Sequence, residues 1–356
     1  MTKKIKHPFG KLRQAFTSTL MRERILHLHH LFFFALALVF AMAVATSSSL
    51  AVSSAKTGHT RAGTSPAPTN SSTKAEKSSA KAEKTSAKNN KSATAESRFT
   101  TLDGARIHYV NYGKGSEALV LIHGGSVNLD TWRDQAPEFA KRNRVIAIDL
   151  PGHGQSDKPQ ITYSMDLFAR AVDAVLRDAR VKRAVLVGHS LGTPIARQFY
   201  RKYPEKTLAI VIVDGSLRPF PDKALMDRGL AAFRGPNYKD AVGQMFAMIT
   251  GPNLSAEAQA RIKASLLNTP QHVLVSAMEG MMDASIWGDD KINVPVLAIM
   301  SKSPVYPPNE QLYRGIAPNL EFQMWEGVGH FIMMEKPKEF NEAVLAFLDK
   351  NKLLKK

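Results

Sequence analysis

One short stretch of the sequence places a serine where its hydroxyl could act as a nucleophile. The pentapeptide Gly188–Gly192 reads Gly-His-Ser-Leu-Gly, with Ser190 at its centre. It follows the apolar run Ala184–Val187 and precedes a helix-compatible segment, Thr193–Tyr203. A strand, a sharp turn and a helix in this order are typical of a nucleophile elbow, whose glycines leave room for the tight turn. A chance match to Gly-x-Ser-x-Gly is expected in roughly one chain in ten of this length, so the flanking elements carry most of the inference.

A serine hydroxyl is a poor nucleophile unless a base lies within hydrogen-bond reach. His330 is the candidate base, because it lies in the glycine-flanked loop Gly327–His330 after the last predicted strand.

The elements that must position these residues alternate regularly from Arg98 onward. Phe99–Tyr112 reads as a hairpin that turns at Asp103-Gly104, with alternating segments on either side. Further strands are predicted at Ala118–Ile122, Val145–Leu150, Ala184–Val187, Leu208–Val213, Val294–Met300 and Leu320–Trp325. Helices are predicted at Leu129–Lys141, after Ser164, at Thr193–Tyr203, at Asn309–Ile316 and from Pro337. This alternation predicts an α/β fold, a mostly parallel sheet with helices on both faces.

The alternation is interrupted once, between Ser216 and Asp290. This segment is helix-compatible and lies between two predicted sheet strands, so we expect an inserted helical cap over about residues 216–290. It is rich in methionine (Met226, Met245, Met248, Met278, Met281 and Met282). Methionine is flexible and polarisable, which favours an apolar, adaptable pocket.

Charge and composition divide the 356-residue chain into an N-terminal region and a catalytic region. Residues 1–97 hold 15 Lys or Arg and four Asp or Glu, and thus carry 11 of the 17 net positive charges. The high net charge is therefore mostly N-terminal, and it does not indicate a nucleic-acid-binding surface on the folded domain. The chain has no cysteine, which excludes disulfides, thiol nucleophiles and cysteine-based metal sites.

Residues 1–45 have the pattern of an export signal. A basic segment precedes the 15 apolar residues Leu31–Ala45, which end in Ala43-Val44-Ala45. That run is shorter than the ~20 residues that span a bilayer, but an uncleaved signal anchor over residues 31–52 would reach this length. Residues 46–97 are rich in Ser, Ala and Lys and are predicted to be a disordered linker. We expect a periplasmic or extracellular enzyme, which is membrane-anchored if the signal is not cleaved. The linker lysines could also associate with an anionic envelope surface.

From about Phe99 to Leu353 the chain resembles an α/β-hydrolase-fold enzyme with a helical cap, of the serine-nucleophile esterase and C–C hydrolase-like branch. The resemblance rests on four motifs in the family's order: His123–Gly125, Asp149–Ser156, Gly188–Gly192, and Gly327–Phe331 before Glu335–Pro337.

The resemblance implies a role for each candidate site residue. It places the catalytic base at His330 and the oxyanion-hole N–H groups at Leu191 and Gly125, with Ser126 as the alternative to Gly125. His123, His153 and His189 would shape the site without reacting.

The triad acid departs from the family pattern. Its usual place follows the strand Val296–Met300, but residues 301–306 contain no carboxylate. Some members carry the acid after the preceding strand, where Asp214 lies, and this preserves the order Ser, Asp, His. Asp214 is therefore the predicted acid, with Glu310 and Asp283 as alternatives.

Together these features predict a serine hydrolase that cleaves an ester or related acyl bond of a small to medium apolar substrate through a covalent acyl-enzyme. No cofactor or metal site is predicted, because the sequence lacks a phosphate loop, a dinucleotide fingerprint and a metal-ligand cluster. A serine at the elbow argues against haloalkane dehalogenase and epoxide hydrolase chemistry, whose relatives use aspartate there. The alternatives are acyl transfer, cofactor-free haloperoxidase or perhydrolase-like chemistry, and a ligand-binding relative with weak turnover.

Overall fold

The computed structural model describes residues 94–219, 222–302 and 309–354. The predicted export signal and anchor, and the predicted linker up to residue 93, lie outside the described residues. Within the described part of the chain, no helix combines the length and the apolar character that crossing a membrane requires.

A single mostly parallel sheet of eight strands organises the described residues. The strands are β1 (Ala95–Leu102), β2 (Ala105–Tyr112), β3 (Glu117–Ile122), β4 (Val145–Ile148), β5 (Arg183–His189), β6 (Thr207–Val213), β7 (Val296–Ser301) and β8 (Leu320–Trp325). Their order in the sheet is β1-β2-β4-β3-β5-β6-β7-β8. The β1–β2 and β2–β4 pairs are antiparallel, and the other five pairs are parallel. Strand β1 begins at Ala95, three residues inside the segment predicted to be linker.

The central strands are buried on both faces of the sheet. In β3, for example, Val120 packs into the core on one face and Leu119 and Leu121 into the core on the other. All of these side chains are inaccessible to solvent. The continuous apolar runs of the sequence thus correspond to strands covered on both sides.

Helices cover both faces of the sheet. Outside the cap they are α1 (Ala136–Ala140), α2 (Met165–Asp178), α3 (Gly192–Lys202), α8 (Glu310–Ile316), α9 (Ile332–Glu335) and α10 (Pro337–Lys350). Helices α2 and α3 pack on one face, and α1 and α10 on the other. Ser164 caps α2, because its side chain accepts a hydrogen bond from the N–H of Leu167 at 3.1 Å.

The helix predicted over Leu129–Lys141 is not continuous. The chain forms a 3₁₀ turn at Leu129–Trp132 and then the short α1. Pro137 accounts for the interruption, because it has no N–H to donate to Arg133 and its ring would clash with that carbonyl in a longer helix.

Four helices lie between β6 and β7, where the sequence predicts the cap. They are α4 (Lys223–Arg234), α5 (Tyr238–Ile249), α6 (Ala256–Asn268) and α7 (Gln271–Met282), followed by a 3₁₀ turn at Ala284–Ile286. Both ends of this insertion are tied to α3 by Arg197, whose side chain is 1% exposed. Its guanidinium donates to the carbonyl of Leu217 at 2.8 Å and to that of Gly288.

Candidate active site

The residues predicted to carry the chemistry follow the carboxyl ends of neighbouring strands. Gly125 comes after β3, Ser190 after β5, Asp214 after β6 and His330 after β8. Because parallel strands end at the same edge of the sheet, these loops form one site along that edge.

Ser190 lies on a sharp turn between β5 and α3. Its backbone φ is +51°, in the left-handed region that non-glycine residues rarely adopt. A Cβ at Gly188 would lie 2.3 Å from the carbonyl oxygen of Gly192, and one at Gly192 would lie 2.5 Å from that of Ile122. The two glycines therefore allow the turn to close against α3 and β3. The Ser190 N–H donates to the carbonyl of Val213 at 3.0 Å, which places the serine beside the end of β6.

Asp214 and His330 form a direct hydrogen bond. Nδ1 of His330 donates to Oδ2 of Asp214 at 2.7 Å, and both side chains are mostly buried. This bond holds the proton on Nδ1 and leaves Nε2 free of a proton, as a general base requires.

The other carboxylate oxygen of Asp214 is held by Ser301 at the end of β7. Both the N–H and the hydroxyl of Ser301 donate to Oδ1, at 2.8 and 2.9 Å. Asp214 has a positive φ of +44°, a region that aspartate tolerates better than most residues. The sequence prediction missed Ser301, although it is the residue that ends the strand after which the acid is usually found.

The two alternative acids are bonded elsewhere. Glu310, in the first turn of α8, accepts from Nε of Arg314 at 2.8 Å. Asp283 accepts from the N–H of Ser285 at 2.9 Å and caps the 3₁₀ turn that follows α7. Of the three carboxylates considered, the structure brings that of Asp214 to His330.

The two predicted oxyanion-hole residues lie next to each other. A Cβ at Gly125 would lie 3.6 Å from Cδ2 of Leu191, which is ordinary van der Waals distance. Ser126, the alternative donor, is buried with a φ of +57°. Its carbonyl accepts a hydrogen bond from Oγ1 of Thr269 at 3.1 Å, so the cap holds this loop. The Gly125 turn and the N-terminus of α3 thus face each other beside Ser190.

The three other histidines of the motifs are fully buried. Burial lowers the pKa of His123, lowers that of His189 well below its usual value, and lowers that of His153 to about 3. These side chains are therefore neutral near pH 7. His189 holds the histidine loop directly, since its Nε2 donates to the carbonyl of His330 at 2.9 Å.

The described residues contain no group of three His, Asp or Glu side chains suited to hold a metal ion.

A serine elbow and an aspartate–histidine pair at the carboxyl edge of a mostly parallel sheet define the α/β-hydrolase class. The chain belongs to the α/β-hydrolase fold family, whose model matches residues 117–337. This confirms the resemblance inferred from the motifs.

Individual relatives agree with this assignment. Est816, whose solved structure is described as that of an N-acyl homoserine lactone degrading enzyme, is 32% identical to this chain in sequence, and the two structures superpose with a TM-score of 0.62. The match covers 70% of this chain and all of the Est816 chain. A 2-hydroxy-6-oxononadienedioate/2-hydroxy-6-oxononatrienedioate hydrolase of Paraburkholderia phymatum is 29% identical over 68% of this chain and 91% of its own. A bromoperoxidase from Bacillus anthracis, at 20% identity, has the same fold with a TM-score of 0.65 over 71% of this chain and all of its own. The protein is a hydrolase of this family.

Proposed function

We propose that the protein is a serine hydrolase that cleaves an ester or related acyl bond through a Ser190–His330–Asp214 triad. Oγ of Ser190 attacks the substrate carbonyl while Nε2 of His330 takes its proton. The N–H groups of Gly125 and Leu191 stabilise the negative charge that develops on the carbonyl oxygen. His330 then returns the proton to the leaving group, and water releases the acyl group by the same steps.

The observation that carries this proposal is the bond between Nδ1 of His330 and Asp214. The elbow of Ser190 lies beside it, because the Ser190 N–H donates to the carbonyl of the residue before Asp214 and the ring of His189 packs against that of His330. Asp214 orients the imidazole and stabilises the imidazolium that forms when the serine proton is taken. No other described carboxylate is bonded to this histidine.

The methionine-rich composition of the cap favours an apolar substrate of small to medium size, because methionine side chains are flexible and polarisable. Est816 also favours testing a lactone, because a lactone is a cyclic ester that the same triad can open. An N-acyl homoserine lactone, with its apolar acyl chain, therefore belongs in the substrate panel.

A fluorophosphonate probe and a series of chromogenic esters with increasing acyl length test the proposal. We expect the probe to label wild type at Ser190, and the esters to be hydrolysed with an optimum at medium chain length. The Ser190→Ala variant should lose both labelling and turnover. Equal turnover by wild type and Ser190→Ala would refute the triad, whereas a folded protein with neither property would favour a ligand-binding role. Adding alcohol or peroxide acceptors to the same assay separates hydrolysis from acyl transfer and from perhydrolase-like chemistry.

We also propose that residues 1–45 direct export. Where the signal is not cleaved, the linker from residue 46 to the start of β1 at Ala95 tethers the catalytic domain to the cell envelope. The basic, apolar and small-residue segments of the N-terminus support export. Fractionation of cells that express the full chain, with N-terminal sequencing of the product, tests this. An intact chain in the cytoplasmic fraction would contradict it.

A further inference from the structure

One segment of the cap lies directly on the loop that carries His330. The N–H of His330 donates to the carbonyl of Ile249 at 2.9 Å, at the end of α5. Nδ2 of Asn253 donates to the carbonyl of Gly327 at 2.6 Å. The cap segment 249–253 and the histidine loop 327–330 are thus joined by hydrogen bonds at both ends.

Two glycines allow this approach. A Cβ at Gly251 would lie 2.2 Å from the backbone nitrogen of Gly329, and a Cβ at Gly329 would lie 2.5 Å from Cα of Gly251. Neither distance leaves room for a side chain, so the two backbones are in direct contact.

The carboxylate of Glu335 lies at this contact and binds both segments. Its Oε1 accepts from the N–H of Gly329 at 2.9 Å, and its Oε2 accepts from the N–H of Asn253 at 3.4 Å. The N–H of Gly251 also faces the carboxylate. Glu335 is only 8% exposed, and burial raises the pKa of its carboxyl group. A buried carboxylate is costly unless donors surround it, and here the donors belong to the cap and to the histidine loop.

We propose that Glu335 is a positioning residue for His330, acting as a shared acceptor that joins the cap to the histidine loop. This inference rests on the proposed function, because it assigns His330 the role of base. It also gives the cap a second task besides enclosing the substrate. In this role the segment 249–253 keeps the imidazole at its working position.

The variant Glu335→Gln tests this with little change in shape. An amide has one acceptor oxygen and one donor nitrogen, so it satisfies the N–H groups of either the histidine loop or the cap but not both. We expect kcat to fall on the order of 10- to 100-fold, because small misplacements of a catalytic group have effects of this size. KM should stay within about threefold, since the base contributes to the transition state rather than to substrate binding.

The rate of Ser190 labelling by the fluorophosphonate should fall by the same factor as kcat, because labelling also needs the base. The kcat is calculated per active site, and the number of active sites is measured by allowing the fluorophosphonate labelling to go to completion. A purely structural role would lower the melting temperature and leave kcat per titrated site and the labelling rate unchanged. That result would overturn the proposal.

Glu339→Gln is the matched control, since it makes the same chemical change at an exposed position four residues further on, and it should leave kcat unchanged. Glu335→Asp keeps the carboxylate but shortens the side chain by one methylene, so the carboxylate cannot reach both segments, and this variant decides the question if Glu335→Gln does not fold. We expect a fall in kcat of about three- to tenfold, and a kcat equal to that of wild type would overturn the proposal. Full activity of Ser190→Ala would refute the proposed function instead, so the two failures are distinguishable.

Discussion

Replacing Asp214 by asparagine changes one atom of the proposed triad, and the structure predicts how the new amide would orient. In the wild type, Oδ1 of Asp214 accepts two hydrogen bonds from Ser301, and Oδ2 accepts one from His330. Asparagine has one acceptor oxygen only. Ser301 presents its N–H at a position fixed by the strand, so the amide oxygen must take the place of Oδ1, and the amide NH₂ then points at His330.

An NH₂ group 2.7 Å from Nδ1 of His330 requires that nitrogen to accept a hydrogen bond. The ring proton then moves to Nε2, which can no longer take the proton of Ser190. In a trypsin-like triad, the equivalent exchange leaves the geometry intact and lowers kcat about 10⁴-fold. We expect a loss of similar size here, equivalent to about 5 kcal/mol of transition-state stabilisation.

The assay is ester hydrolysis at neutral pH, with the fraction of folded protein measured by circular dichroism. KM should change little, because the substrate does not contact Asp214 in the proposed mechanism. Glu310→Gln and Asp283→Asn, which alter the two alternative acids, should retain wild-type kcat. A kcat for Asp214→Asn within about tenfold of wild type, well short of the expected loss, would refute the assignment of Asp214 as the triad acid.

Three further predictions test the surroundings of the triad. Gly192→Ala should lower the free energy of unfolding by about 3 kcal/mol in urea titrations, because its Cβ would lie 2.5 Å from the carbonyl oxygen of Ile122; unchanged stability would contradict this. Thr269→Val removes one of the two cap hydroxyls that donate to the Ser126 carbonyl, the other being that of Ser265, so kcat should fall about three- to tenfold while the melting temperature changes little. A wild-type kcat would count against a supported oxyanion loop. Burial alone would raise the pKa of Asp149, but hydrogen bonds from His108 and two backbone N–H groups outweigh it and hold that pKa below its usual value. The stabilisation is therefore present above about pH 4 and is lost as the pH falls through the lowered pKa. Wild type should lose stability more steeply than Asp149→Asn below about pH 4, in urea titrations at a series of pH values, and equal losses in the two proteins would contradict this.

Much of the fold could be predicted from the sequence because its signals are local. The hairpin turn at Asp103-Gly104 and the cap of α2 at Ser164 depend on residues within a few positions of each other. The helix predicted over Leu129–Lys141 forms in two pieces for an equally local reason, since Pro137 interrupts it. The elbow at Ser190 belongs to the same category, because its glycines, strand and helix are contiguous in the chain.

The contacts around His330 depend instead on residues that are distant in sequence. Asp214 lies 116 positions before its partner, and the pair meets because β6, β7 and β8 end side by side in the sheet. The sequence by itself determined the serine, the histidine and a short set of candidate acids. Only the tertiary structure decided which carboxylate reaches the imidazole, that Ser301 holds it, and that Glu335 joins the cap to the histidine loop. These choices depend on strand order and register and on how closely backbones approach, which periodicity and turn signals do not encode.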